Sequence, residues 1–191
     1  MEKQGSSLAK SCFLQIRNIG RIRPYISNDA CKTLVSAALV TSRLDYGNVL
    51  LFGVNASPIT KLQRIQNTAA RLITLTKKCE HITPVLMDLH WLPVCYRTQY
   101  KLLLYVFKAL NDLALVYLKD LVTAYEPART LRSENAMLVV QPKVRTQAYG
   151  ERRFDKAAST LWNSLPSSIR HEQSIETFKK QLETLLFSDF T

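Results

Sequence analysis

Apolar residues recur every three or four positions along the first two thirds of the chain, the spacing of one buried helix face. Leu8, Cys12, Phe13, Ile16 and Ile19 mark a first helix, and Gly20 supplies its C-terminal stop. Asn28 or Asp29 can cap a second helix that carries Leu34, Val35, Ala38 and Leu39 on one side. Asp45-Tyr46-Gly47-Asn48 interrupts it. Ser57-Pro58 predicts a third helix, with a hydroxyl cap and Pro at the first helical position, running to about residue 74. At about 100° per residue, Leu62, Ile65, Ala69, Leu72 and Ile73 share one face, with Gln66 among them. Lys61, Arg64 and Arg71 gather on the opposite face.

Thr83-Pro84 starts a short helix that Trp91-Leu92-Pro93 ends. Over 94–110 the pattern predicts a helix with Leu102, Leu103, Val106 and Leu110 buried. Arg97, Lys101 and Lys108 fall together on its far side, a basic stripe roughly 16 Å long. A later helix covers about 115–124. After Pro127 the texture changes. Met137-Leu138-Val139-Val140-Gln141 is apolar and β-branched, Pro142 bounds it, and 144–149 alternates, so a short hairpin is expected over 137–149. Helix signals return over 151–162, and Asn163-Ser164-Leu165-Pro166 reads as a turn. Ser174 caps a last helix with Glu176 in its first turn and Ile175, Phe178, Leu182, Leu185 and Leu186 on its buried side. The expected fold class is mainly α with a minor β element.

The 191 residues suit one compact domain or two small ones, and 47% hydrophobic against 21% charged residues argues for a folded chain. No apolar run approaches the ~20 residues of a membrane span; the run 102–107 already ends at Lys108. Met1-Glu2-Lys3-Gln4-Gly5 is followed by no apolar signal region. The expectation is an intracellular protein of nucleus or cytoplasm, neither secreted nor membrane-bound.

Charge changes the picture further. Twenty-six Lys and Arg face fifteen Asp and Glu, a net +11. Residues 1–111 hold fifteen of the basic and five of the acidic side chains, whereas 112–191 hold eleven and ten. Clustered cations of this kind suit a polyanion, because phosphate contacts release condensed counterions.

Catalytic patterns are sparse. The sequence contains no Asp-Asp pair, no GxxxxGK[ST] loop, no HExxH and no GxSxG. His81, His90 and His171 have no nucleophile beside them, and His81 and His90 read as core or cap residues. Cys79, His81, His90 and Cys95 fall within seventeen residues, yet their spacing fits no zinc pattern, and Pro84 and Pro93 put them on separate turns. Cys12, Cys31, Cys79 and Cys95 read as reduced thiols. A non-enzyme without cofactor or metal is expected.

A series of motifs in order carries a resemblance. They are Ser42-Arg43-Leu44-Asp45-Tyr46-Gly47-Asn48, Leu62-Gln63-Arg64-Ile65-Gln66-Asn67-Thr68-Ala69-Ala70-Arg71, and His81-Ile82-Thr83-Pro84-Val85-Leu86. Leu89-His90-Trp91-Leu92-Pro93-Val94 follows, then Arg97 with Lys101, Tyr117-Leu118 and Arg129-Thr130-Leu131-Arg132-Ser133. Leu161-Trp162-Asn163-Ser164-Leu165-Pro166, Ile169-Arg170, Phe178-Lys179-Lys180 and Leu185-Leu186-Phe187 complete it. Together they resemble the C-terminal segment of the reverse transcriptase polyprotein of jockey-superfamily non-LTR retrotransposons (LINE elements). Leu115 and Ser159-Thr160 depart from the family, which usually shows Pro-containing pairs there.

The resemblance implies a chain that starts at or just before the polymerase thumb. The catalytic carboxylates and the endonuclease of this RNA-directed DNA polymerase would lie upstream, as in a 5′-truncated copy of such a mobile element. Residues 1–111 would then be a basic, helical, thumb-like bundle. Residues 112–191 would be a near-neutral α+β tail with the 137–149 hairpin and the terminal helices. A thumb packs helices on a duplex backbone, which needs cations and no base-edge geometry. The candidate nucleic-acid-binding residues are Arg17, Arg21, Arg23, Lys61, Arg64, Arg71, Lys77, Lys78, Arg97, Lys101 and Lys108, with Tyr100 and Tyr105 available for stacking. The partners implied are RNA, DNA or an RNA–DNA hybrid, with self-association possible. The alternative is a structural or protein-interaction remnant whose basic stripes are only the wet faces of amphipathic helices.

Overall fold

The computed structural model describes residues 2–45, 48–54, 56–127, 137–146 and 150–190. Among these the order is α1 (Glu2–Ile22), a 3-10 turn (Arg23–Tyr25), α2 (Asn28–Val35), a π-helical segment (Ser36–Leu44) and a second 3-10 turn (Asn48–Leu51). Then come α3 (Ala56–Thr74), α4 (Thr83–Asp88), α5 (Val94–Leu110) and α6 (Val116–Lys119). The last three are α7 (Phe154–Ser164), α8 (Ser167–Arg170) and α9 (Ile175–Ser188). The chain forms two compact units, Met1–Arg97 with Phe190–Thr191, and Thr98–Asp189. Compactness therefore divides the chain inside α5, whereas charge divides it at 111/112.

In the first unit, α1 packs along α3 and α2 packs against both. Cys12, Ile16 and Ile19 of α1 meet Leu62, Ile65, Ala69 and Ile73 of α3 in one core, with Cys31, Val35 and Leu39 from the second helical stretch. Gln66 is fully buried on the same stripe. Its Nε2 donates to the carbonyl of Leu92 at 2.8 Å, and one turn earlier Gln63 Oε1 accepts from the backbone N–H of Val94 at 2.9 Å. Two glutamines of α3 thus clamp the segment that leads into α5. The clamp satisfies the carbonyl before Pro93 and one of the N–H groups that open a helix.

In the second unit three rings form the centre. Phe107 of α5 stacks on Phe178 of α9 with centroids 4.3 Å apart, and Trp162 of α7 lies 5.9 Å from Phe178. All three are almost wholly buried, among Leu102, Leu103, Val106, Leu182 and Leu186. Trp162 Nε1 finds its partner in the carbonyl of Met137 at 2.8 Å.

Several elements differ from the sequence expectation. The hairpin over 137–149 does not form among the described residues, of which 147–149 are not a part. Val139 instead makes an isolated antiparallel bridge to Ala124, with Tyr125 N–H donating to Leu138 O and Val140 N–H donating to Thr123 O. On its other edge Val139 bonds the Asn163 side chain. Both edges of the apolar segment are occupied, so 144–146 has nothing to pair with. The helix expected over 115–124 is only the four-residue α6, because 123–125 is drawn into that bridge.

Helix ends also move. α1 runs through Gly20 to Ile22 and stops before Pro24, with Gly20 facing Leu72 of α3 rather than serving as a cap. Ser27, not Asn28 or Asp29, caps α2, its Oγ accepting from Ala30 N–H at 3.2 Å. α3 begins at Ala56, so Pro58 is its third residue, still in the turn whose N–H groups lack helical partners.

Candidate nucleic-acid interface

Net positive charge concentrates in the first unit because acidic side chains are fewer there. Met1–Arg97 carries thirteen Lys and Arg against five Asp and Glu, a net +8, while Thr98–Asp189 carries thirteen against ten. Placement separates the cations that face water from those that hold the fold.

Arg23 belongs to the fold. It is 8% exposed, and its Nε donates to Leu72 O at 3.1 Å while one terminal nitrogen donates to Ile73 O at 2.9 Å and to Asn28 Oδ1. The other terminal nitrogen bonds Ile26 O at 3.1 Å. Carbonyls in the last turn of a helix have no intrahelical donor, and here one guanidinium fills two of them at the end of α3. It also fastens the chain that leaves α1. A phosphate would have to displace these bonds to reach Arg23.

Arg97 is likewise engaged. Its Nε and one terminal nitrogen grip the Asp45 carboxylate at 2.8 and 2.5 Å, a fork-on-fork ion pair that spans 52 residues of sequence. Asn48 Nδ2 lies 3.4 Å from the same carboxylate. Arg71 is half-buried and donates to Glu80 O at 3.0 Å, which anchors the far end of the loop bearing Lys77 and Lys78. Lys101 and Lys108 are half-buried on the part of α5 in the second unit. The expected stripe Arg97/Lys101/Lys108 is therefore not a row of free cations. Tyr100 is half-buried too, and burial with the nearby Glu183 and Glu176 carboxylates pushes its phenol above the usual range.

What remains exposed is Arg17, Arg21, Lys61, Arg64, Lys77 and Lys78. The bonds from Arg23 to Leu72 and Ile73 put the C-terminal ends of α1 and α3 side by side. Arg17 and Arg21 lie in the last two turns of α1, Arg71 in the last turn of α3, and Lys77 and Lys78 directly after it. That end is also where two helix dipoles present their negative poles, which favours cations there whether or not a ligand binds. Lys61 lies about 18 Å up α3 from Ile73 at the standard rise per residue. Arg64 borders a groove of about 410 Å³ whose lining includes Ile59, Gln63, Asn67, Leu86 and Pro93.

Cys79, His81, His90 and Cys95 are exposed, and among the described residues no group of three or more His, Cys, Asp or Glu side chains is placed to hold a metal ion. His90 stands at the left-handed position that closes α4 (φ 54°). His90 N–H donates to Met87 O and Trp91 N–H to Leu86 O, the two bonds of a Schellman ending. Among the described residues no helix is long and apolar enough to cross a membrane.

Sequence reasoning missed the roles of Gln63, Gln66, Arg23 and Asn163. Only Gln66 carried a signal, a polar residue inside an apolar stripe. No protein-family model, curated protein or solved structure matches the chain.

Proposed function

We infer that this chain is a non-catalytic nucleic-acid-binding segment, equivalent to the thumb and C-terminal region of a non-LTR retrotransposon reverse transcriptase. The observation that carries the reading is the net +8 of the first unit, together with the exposure of six of the expected binding cations on α1, α3 and the loop after α3. Helix-borne Lys and Arg without base-reading geometry suit sugar-phosphate backbones, so RNA, DNA and their hybrid are the partner class. The binding set is Arg17, Arg21, Lys61, Arg64, Lys77 and Lys78, and Arg71 positions the loop. Chemistry belongs to other parts of such a polymerase.

The test is fluorescence anisotropy of the folded chain with labelled RNA–DNA hybrid, RNA and DNA, titrated at several salt concentrations. Several phosphate contacts give a log–log salt slope of about −3 to −6. A folded chain that binds none of the three at low salt would refute the reading. The second reading, an interaction module without nucleic-acid affinity, draws on Arg23 and Arg97, whose charges are spent on internal bonds.

A further inference from the structure

The second unit exposes apolar surface where little is expected. Over 113–125 Leu113, Leu115, Val116, Tyr117, Leu121 and Tyr125 are 42–72% exposed, and α6 contributes no buried residue at all. The Ala124–Val139 bridge brings exposed Val140 beside this stretch. With large apolar side chains of about 150–230 Å² each, these seven residues together expose on the order of 700 Å².

The chemistry of the surface narrows what covers it. The 138–140 segment cannot take up an extended peptide as an added strand, because both of its edges are already bonded. Nucleic acid is disfavoured, since 112–126 carries Asp112, Asp120 and Glu126 against the single cation Lys119, which pairs with Asp112 at 2.8 Å. Following the bridge, the exposed Lys143 and Arg145 supply the opposite sign. A −2 segment that carries the apolar residues and a +2 segment that follows the bridge in the same unit are complementary in charge. An area near 700 Å² is close to the roughly 800 Å² each partner contributes to a standard interface.

We propose that this face binds a second copy of the chain, forming a two-fold dimer in which the acidic 112–126 segment of each copy meets Lys143 and Arg145 of the other. Such an isologous contact uses one patch twice and closes on itself. The basic first unit carries the charge that keeps dimers from stacking further.

Sedimentation velocity and light scattering of the full chain in about 0.5 M salt, where phosphate contacts are screened, test this without nucleic acid. The parent is expected to pass from monomer to dimer as its concentration rises to the order of 100 µM. Val116→Glu and Tyr117→Ser, both at exposed sites, should weaken the dimer at least about tenfold with unchanged helicity. The pair Lys143→Glu/Arg145→Glu and the pair Asp120→Lys/Glu126→Lys, measured at lower salt, should each be monomeric alone and dimeric when mixed. A parent that stays monomeric, a dimer indifferent to the α6 substitutions, or charge variants that fail to rescue each other would overturn the proposal. A species that grows without a defined stoichiometry would also overturn it, because it means unspecific apolar adhesion.

Discussion

The side-chain amide of Asn163 exchanges two hydrogen bonds with the backbone of Val139, accepting from its N–H and donating to its C=O, both at 2.9 Å. An amide side chain here does what a neighbouring strand would do. With Ala124 bridged on the opposite edge, Val139 sits in the middle of a three-rung ladder of which only two rungs are backbone. Asn163→Ala leaves a buried N–H and a buried C=O without partners, and should cost about 2–4 kcal/mol in urea unfolding. A loss below about 0.5 kcal/mol would mean that water replaces the amide.

The neighbouring Trp162 holds the same segment through Met137 and fills the ring cluster with Phe107 and Phe178. Trp162→Ala is expected to cost about 3–5 kcal/mol, the range for removing a buried aromatic. Trp162→Phe keeps most of the packing and loses one hydrogen bond, so about 1–2 kcal/mol should suffice. If both variants lose the same amount, the indole N–H rather than the ring supports the segment.

Leu75 closes α3 with φ 58° while 68% of its side chain faces water. A β-carbon in the left-handed region costs roughly 1–2 kcal/mol, and an exposed leucine returns little of it through packing. Leu75→Gly should therefore raise stability by about 1 kcal/mol, partly offset by the freer unfolded chain. Leu75→Ala should give no such gain. Denaturant midpoints of the two variants measure the difference, and a destabilised glycine variant would show that the leucine packs after all.

Much of the helical frame was legible because it obeys one rule. α5 was expected over 94–110 and spans Val94–Leu110, and the stripe Leu62, Ile65, Ala69 and Ile73 is buried as its spacing requires. What was not legible depends on partners distant in sequence. Leu75, His90, Asp112 and Met137 all adopt positive φ without the glycine that would announce it. Arg23 and Arg17 look alike in sequence, and only the fold gives one of them four acceptors and leaves the other in water. The apolar run at 137–140 does carry a β signal, but its pairing partners turned out to be Ala124 and a side chain of α7.

Cys31 has no exposed surface, and burial pushes its thiol above the usual range, with the Arg23 guanidinium opposing in part. A folded-state value raised above the unfolded one gives stability that is complete below the unfolded thiol pKa of about 8.5 and is lost as pH rises through the folded value. Alkylation followed by mass spectrometry should find Cys79 and Cys95, both exposed, modified first, and Cys31 only when alkaline pH or denaturant opens the core. Equal rates at all of these thiols near neutral pH would contradict the packing of α2.

The contrast between Arg23 and Arg17 with Arg21 separates fold from binding in one experiment. Arg23→Lys cannot fill the carbonyls of Leu72, Ile73 and Ile26 together, since an ammonium lacks the planar fork. It should lower stability by about 1–3 kcal/mol and leave the affinity of the folded protein for an RNA–DNA hybrid unchanged. Arg17→Ala/Arg21→Ala should do the reverse, with stability held within about 0.5 kcal/mol and the salt slope reduced by about two, one for each lost phosphate contact. If Arg23→Lys weakens binding at a temperature where it is fully folded, the guanidinium reaches the ligand despite its burial, and the end of α3 belongs to the interface.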